Sequence, residues 1–255
     1  MKPNGRPVAL VTGVGRRAGI GLAVAERLAR DGYDVATTYW TPYDERMPWG
    51  ADDDIGDEIA ARMSALGANS MSIEADLEQP DTVSALMERV EGELGPISTL
   101  LMCHCESVNS GILDTTVESF DRHFAVNAKA SWLLIREFGL RFKGVPGRGR
   151  IIALTSDAIV GNVPYGASKG SLDRITLAAA HEFADLGITA NVINSGPTQT
   201  GWMTPELEAQ IIRDTPISRL GVPEDTANLV AFLCSPEGGW VNGQLLHSNG
   251  GLGRG

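Results

Sequence analysis

Cysteine is scarce in this 255-residue chain, at three residues: Cys103, Cys105 and Cys234. Cys103 and Cys105 are too close for an ordinary bridge, so no disulfide framework is expected and the chain reads as reduced and cytoplasmic. Long hydrophobic runs are missing as well. No stretch approaches the roughly 18 apolar residues that span a bilayer, and Met1 to Pro7 has no signal-peptide core. Positive charge is in deficit: 21 Lys and Arg against 32 Asp and Glu give a net charge of −11. An unassisted nucleic-acid or anionic-membrane surface is therefore not expected. No Ser/Pro-rich linker divides the sequence, so residues 1–255 are expected to form one domain.

What is present is ordinary globular material, 43% hydrophobic and 21% charged, with 30 glycines in excess. The glycines gather near residues 13–21 and 238–255, as tight turns and close backbone approach to a ligand require. Short apolar runs alternate with helical patterns. Val8 to Val11 reads as a buried strand, and a helix follows with Ile20, Val24 and Leu28 on one face, closed by Gly32. The pattern continues through strand Val35 to Tyr39, helix Ile55 to Leu66, a strand at Met71 to Ile73 and helix Asp81 to Leu94. Strand Thr99 to Cys103, a long helix from Val117 to Phe142, strand Ile151 to Leu154 and a helix from Tyr165 to Leu186 come next. Strand Thr189 to Ile193, two helical stretches and strand Gln244 to His247 complete it. Repeated βα units imply an α/β Rossmann fold: a doubly wound parallel sheet of about seven strands with helices on both faces. The Trp/Pro/Asp-rich segment Trp40 to Asp54 is long for a βα connection and is expected to be functional.

Three constellations carry chemistry. The turn Thr12 to Gly21 lies between the first strand and helix, where glycines and free helix N–H groups can receive a pyrophosphate. Candidate cofactor contacts there are Gly13, Gly15, Arg16, Arg17, Gly19 and Ile20. Tyr165 and Lys169 are four apart on one helical face, so the ammonium can lower the phenol pKa toward acid/base use near neutrality. Thr155-Ser156 ends a strand at the carboxyl edge, where a hydroxyl could meet a substrate carbonyl or cap a turn.

Together these residues resemble the short-chain dehydrogenase/reductase family over essentially the whole chain, with 3-oxoacyl-thioester reductase-like members as the nearest pattern. The resemblance places Gly13, Gly19 and Gly21 on the glycine motif and Asp76-Leu77 on the adenine-contacting pair. Asn127, Ser156, Tyr165 and Lys169 fall on the catalytic set, with Asn127 anchoring a water that links Lys169 to solvent. Ser195 to Thr200 falls on the segment whose threonine meets the nicotinamide carboxamide, making Gly196, Thr198 and Thr200 cofactor contacts. Arg219 to Gly221, Pro223 to Asp225 and Gly243-Gln244 continue the pattern.

Two departures stand out. The longer spacing from Gly13 to Gly19 is similar to enoyl-thioester reductases of the same superfamily, but those have a wider Tyr-to-Lys spacing and residue 172 here is Leu. Cys103-His104-Cys105-Glu106 replaces the usual Asn-Asn-Ala-Gly. A metal reading lacks a fourth ligand, so this segment is read as altered packing on the cofactor floor, with Cys105 as a cofactor contact.

The resemblance implies hydride exchange between a nicotinamide cofactor and a ketone or secondary alcohol, with 3-oxoacyl or polyketide-like ketones favoured. An oxidative alcohol dehydrogenase and a cofactor-sensing protein without turnover are the alternatives. NADP(H) is expected over NAD(H): the positions about 20 residues past the turn, Tyr39, Trp40 and Thr41, are not acidic. Arg16, Arg17 and Arg46 could instead meet a 2′-phosphate. A substrate flap is expected near 197–215, with Trp202, Met203, Leu207 and Ile211 forming a pocket wall or packing on a neighbouring helix. A homotetramer is expected through the helices beginning near Val117 and Tyr165, with Trp132, Phe138 and Ile175 on exposed faces.

Overall fold

The structure is a computed structural model that describes residues 5–253. Met1 to Asn4, from the N-terminal segment, and Arg254-Gly255, from the glycine-rich tail, lie outside the described residues. Among the described residues, seven parallel strands form one sheet in the order β3-β2-β1-β4-β5-β6-β7. They are β1 Val8–Thr12, β2 Asp34–Tyr39, β3 Ser70–Glu74, β4 Ile97–Met102, β5 Gly149–Thr155, β6 Ile188–Asn194 and β7 Leu245–His247.

Alternation along β1 divides the interior into two layers. Leu10 joins Leu86, Leu134, Phe138 and Leu172 on one face, under α4 (Pro80–Glu93), α6 (Ala130–Arg141) and α7 (Val163–Glu182). Val11 joins Leu28, Met63 and Val230 on the other, under α1 (Ile20–Arg30), α3 (Ile55–Ala65) and α9 (Pro223–Cys234). Both faces of a parallel sheet must be covered, which is why its strands read as near-continuous apolar runs.

Strand order reverses between β1 and β4, which opens a crevice at the carboxyl edge, where sheets of this kind receive ligands.

Three sequence expectations change. Trp40 to Asp54 is not wholly loop: Thr41–Glu45 forms a short helix, α2, started by Pro42 in its first turn. The long helix from Val117 is interrupted. It runs as α5 (Val117–His123), a π-helical turn (Phe124–Lys129) and then α6. Phe138, expected on an exposed face, is 1% exposed in the core, whereas Trp132 one and a half turns earlier is 49% exposed. Burying a Phe side chain is worth about 1.5–3 kcal/mol, so the core takes it. Ile175 is half-buried against the same cluster.

Candidate active site

The glycine turn is shaped from three sides. Gly13 lies in the left-handed region at φ +74°, where a Cβ would collide with the His104 backbone. Val14 N–H donates to Thr38 O at 2.7 Å, tying the turn to β2. A Cβ on Gly21 would come within 2.8 Å of Gly13 O. Gly19 is the N-cap of α1 and no side chain caps that helix, so its first N–H groups and the positive dipole end face the turn. Ile20 packs on the second core layer, leaving its backbone as the part of it that can meet a ligand. Opposite Gly15 stands a carboxylate: a Cβ there would lie 2.8 Å from Asp44 Oδ2. Asp44 is buried, accepts from Trp49 Nε1 at 2.9 Å, and burial raises its carboxyl pKa.

The segment Cys103 to Glu106 packs with a specific polar logic. Buried His104 has Nε2 3.1 Å from Val126 O, an acceptor, so Nε2 carries the proton. Nδ1 then accepts from Thr12 Oγ1 at 2.6 Å, which joins β1 to the π-helical turn. Burial holds the imidazole pKa down to about 3, so it stays neutral. Burial also pushes the Cys103 thiol up to about 12 and the Cys105 thiol upward, which keeps both protonated. Among the described residues no group of three His, Cys, Asp or Glu could hold a metal ion.

The π-helical turn turns Asn127 inward, a use of such turns that recurs at functional sites. Fully buried Asn127 pairs with the backbone of one residue in both directions. Its Oδ1 accepts from Glu106 N at 2.8 Å and its Nδ2 donates to Glu106 O at 2.9 Å. The same Nδ2 lies 2.8 Å from Ser168 Oγ, and Ser168 donates to Tyr165 O at 2.8 Å.

Tyr165, Lys169 and Ser156 converge beside this network. Ser156 stands near enough to the Tyr165 phenol to lower its pKa, and it holds its own loop by accepting from Ala158 N at 3.2 Å. Gly166 makes that short loop possible, because any Cβ there would strike Ala158 O. Lys169 is buried, with Nζ donating to Leu154 O at 2.9 Å and lying 5.7 Å from the Tyr165 ring centre. The sequence expectation that Lys169 lowers the phenol pKa is corrected here. Burial raises the Tyr165 pKa, Cys105 adds to the rise, and the group that lowers it is Ser156. Burial likewise lowers Lys169.

The remaining positions divide. Thr198 is buried and donates within its own turn to Ser195 O and Gly196 O, both at 3.3 Å. Gly196 sits at φ +60°, a left-handed turn that Asn194 Oδ1 supports from its backbone N–H at 2.9 Å. Thr200 O accepts from Arg16 at 2.6 Å, and Arg16 also lies over Trp49, 4.4 Å from the ring centre. Asp76 accepts from Glu78 N at 3.0 Å, holding the turn before α4, while the Leu77 side chain belongs to the core. The Tyr39 ring packs under Gly56 of α3. Arg17 is engaged by Asp52 at 2.9 Å and Glu58 at 2.6 Å. Arg46, expected over a 2′-phosphate, is instead bidentate on Glu106 at 3.1 and 2.9 Å, because a buried carboxylate must be paired. In the flap, α8 (Pro205–Asp214) buries no residue and Met203 is buried, whereas Trp202 is exposed. Glu106, His104 and Gly166 carry much of this geometry; the unusual Cys103 to Glu106 segment signalled the first two in sequence, and the need for glycine at 166 showed only in the structure.

The family model described as Enoyl-(Acyl carrier protein) reductase matches residues 13–253. An oxidoreductase of Bacillus subtilis, YjdA, is 33% identical over 260 residues, 100% of both chains. The chain belongs to the short-chain dehydrogenase/reductase family. It is an oxidoreductase of that family, which acts between CH–OH and C=O carbon with a nicotinamide cofactor. Two solved structures of similar shape contain a nicotinamide cofactor. A blue fluorescent protein from a metagenomic library, in complex with NADPH, is 29% identical with a TM-score of 0.86, covering 99% of this chain and 100% of its own. The angucycline C-6 ketoreductase LanV with bound NADP is 29% identical with a TM-score of 0.85, covering 98% and 96%. Among the described residues, no helix of this family member is long and apolar enough to cross a membrane.

Proposed function

We propose that this protein is an NADP(H)-dependent ketoreductase acting on 3-oxoacyl or polyketide-like ketones. The observation that carries the proposal is the convergence of Ser156, Tyr165 and Lys169 at the carboxyl edge, with buried Lys169 Nζ 5.7 Å from the phenol ring centre and the uncapped start of α1 across the crevice. The residues fit a dinucleotide: the turn carries glycines where side chains would collide, and helix N–H groups are left free for a pyrophosphate. The bound nicotinamide supplies the hydride.

In this reading Ser156 polarises the substrate carbonyl oxygen and Tyr165 delivers the proton to it as the alcohol forms. Lys169 holds ribose hydroxyls, its ammonium anchored on Leu154 O. Asn127 keeps the floor of the site in register with α7 through Ser168. Gly196, Thr198, Thr200 and the Cys105 backbone contribute further cofactor contacts.

NADP(H) suits the site because no acid stands at Tyr39 to Thr41 and Arg17 is exposed at the turn. Surface pairs such as Arg17–Glu58 are worth about 0–1 kcal/mol, so a 2′-phosphate can take Arg17 from Asp52 and Glu58. Arg46 leaves the set because Glu106 holds it. The ligands of the two similar structures support the same cofactor, and LanV supports a ketone substrate. Enoyl reduction is disfavoured, since residue 172 is a core leucine and the lysine stands four residues after Tyr165.

The test is a panel of 3-oxoacyl thioesters, polycyclic ketones, small cyclic ketones and their alcohols, with NADPH and NADH, followed at the reduced-nicotinamide absorbance. Ketone-dependent NADPH consumption is expected. Tight NADPH binding without turnover of any compound would make this a cofactor-sensing protein.

A further inference from the structure

Glu106 stands out because the mechanism above does not use its side chain. It is a buried carboxylate, 5% exposed, whose cation is Arg46, a side chain 41% exposed on the loop after β2. The pair is two-pronged, with Arg46 Nη1 and Nη2 on the two oxygens at 3.1 and 2.9 Å. The same loop leans on the glycine turn through Asp44 opposite Gly15 and through Trp49 under Arg16. A second tie runs beside it, Tyr43 OH to Ser107 O at 3.4 Å.

The main chain of Glu106 is the one that Asn127 grips on both its N–H and its C=O. A continuous hydrogen-bonded path therefore runs from the exposed loop to the active-site helix. Arg46 holds the Glu106 carboxylate, the Glu106 backbone holds Asn127, Asn127 holds Ser168, and Ser168 holds the Tyr165 carbonyl.

We infer that Arg46 and Glu106 are a positioning pair that fixes the loop over the dinucleotide crevice in register with Asn127 and the first turn of α7. This rests on the reading of the crevice as an NADP(H) site. Bidentate guanidinium–carboxylate geometry sets orientation as well as distance, which a lone lysine or a neutral pair would not do. Removing Arg46 leaves a buried carboxylate without its cation, a costly arrangement that loosens the hold on the Glu106 backbone that Asn127 reads.

The experiment measures NADPH binding by nicotinamide fluorescence, together with steady-state kinetics, in the wild type and four variants: Arg46→Ala, Arg46→Lys, Glu106→Gln and the double Arg46→Ala/Glu106→Gln. Arg46→Ala and Glu106→Gln are each expected to weaken NADPH binding and lower kcat, by about tenfold for a coupled pair. The double variant is expected to be no worse than the worse single, and Arg46→Lys to recover part of the affinity. Should Glu106→Gln fail to fold, the half-exposed Arg46 variants carry the test.

Variants that lose thermal stability but keep wild-type Kd, KM and kcat would reduce the pair to a structural brace and overturn the inference. So would strictly additive effects in the double variant. A wild type that binds no NADPH and reduces no ketone would instead overturn the assigned function and remove the basis of this pair with it.

Discussion

Tyr165 is held in an environment that opposes its ionisation, since burial raises its pKa and only Ser156 pulls it down. A phenol kept protonated is a ready acid, and this sets the expectation for its removal. Tyr165→Phe is expected to lower kcat by about 10²–10⁴-fold, the usual loss for a positioned acid, with NADPH affinity nearly unchanged. Retention of most of kcat would show that another group delivers the proton. His104 gives a second residue-scale expectation. Its folded pKa of about 3 lies below the ordinary 6.5, so between those values the unfolded chain binds more protons. The contribution of His104 is complete above pH 6.5 and lost as pH falls toward 3, by about 1.4 kcal/mol per unit or about 2 kcal/mol at pH 5. Urea unfolding at pH 7 and pH 5 should show this loss in the wild type and a smaller one in His104→Asn. Equal losses would mean that carboxylates elsewhere carry the acid sensitivity.

At the scale of elements, the long segment after β2 decides how the crevice is dressed. It places Asp44 and Trp49 against the glycine turn, sets Arg46 on Glu106, and leaves Arg17 on the surface with Asp52 and Glu58. NADPH is therefore expected to exceed NADH in kcat/KM, and Arg17→Ala to reduce that preference by about tenfold, the worth of one charge-assisted hydrogen bond. Measuring both cofactors in wild type, Arg16→Ala and Arg17→Ala decides between the arginines. Arg16, already committed to Thr200 O and Trp49, is expected to change the ratio less. A wild type that prefers NADH would overturn this account of the turn.

Periodicity made β1, β4, β5, β6 and the two faces of the sheet legible in sequence, because apolar runs bounded by glycine and acid leave little choice. The Tyr165–Lys169 spacing and Gly13 to Gly21 were legible for the same reason. The π-helical turn was not, since one extra residue in a helix leaves no mark in a hydrophobic pattern. The pairing of Arg46 with Glu106, sixty residues apart, was invisible because neither residue type announces its partner. Phe138 misled because it lies on a helix whose apolar residues face both inward and outward, and tertiary packing chose the inward side.

For the whole molecule, the exposed apolar residues Val117, Phe120 and Trp132 lie along α5 and α6, and Trp132 and Ile175 line one groove. A monomer gains nothing from such a face in water. Light scattering at micromolar concentration is expected to give a dimeric or tetrameric mass, and a monomeric mass would refute assembly through these helices.

The reversal of strand order has a further consequence, in time rather than in space. β1 lies between β2 and β4, with Val8 opposite Asp34 on one side and Ile97 on the other. On a ribosome moving at about 5–20 residues per second, β1 is released several seconds before β4 exists. Over that interval it has one neighbour and an open edge. Gly13 waits too, because the backbone that confines it belongs to His104, beyond β4. Pulse-labelled hydrogen exchange during refolding should therefore find β1 amides protected together with those of β4, well after the β1–α1–β2 unit could form. The glycine turn would then be among the last parts of the nascent protein to set, although it is among the first to be made.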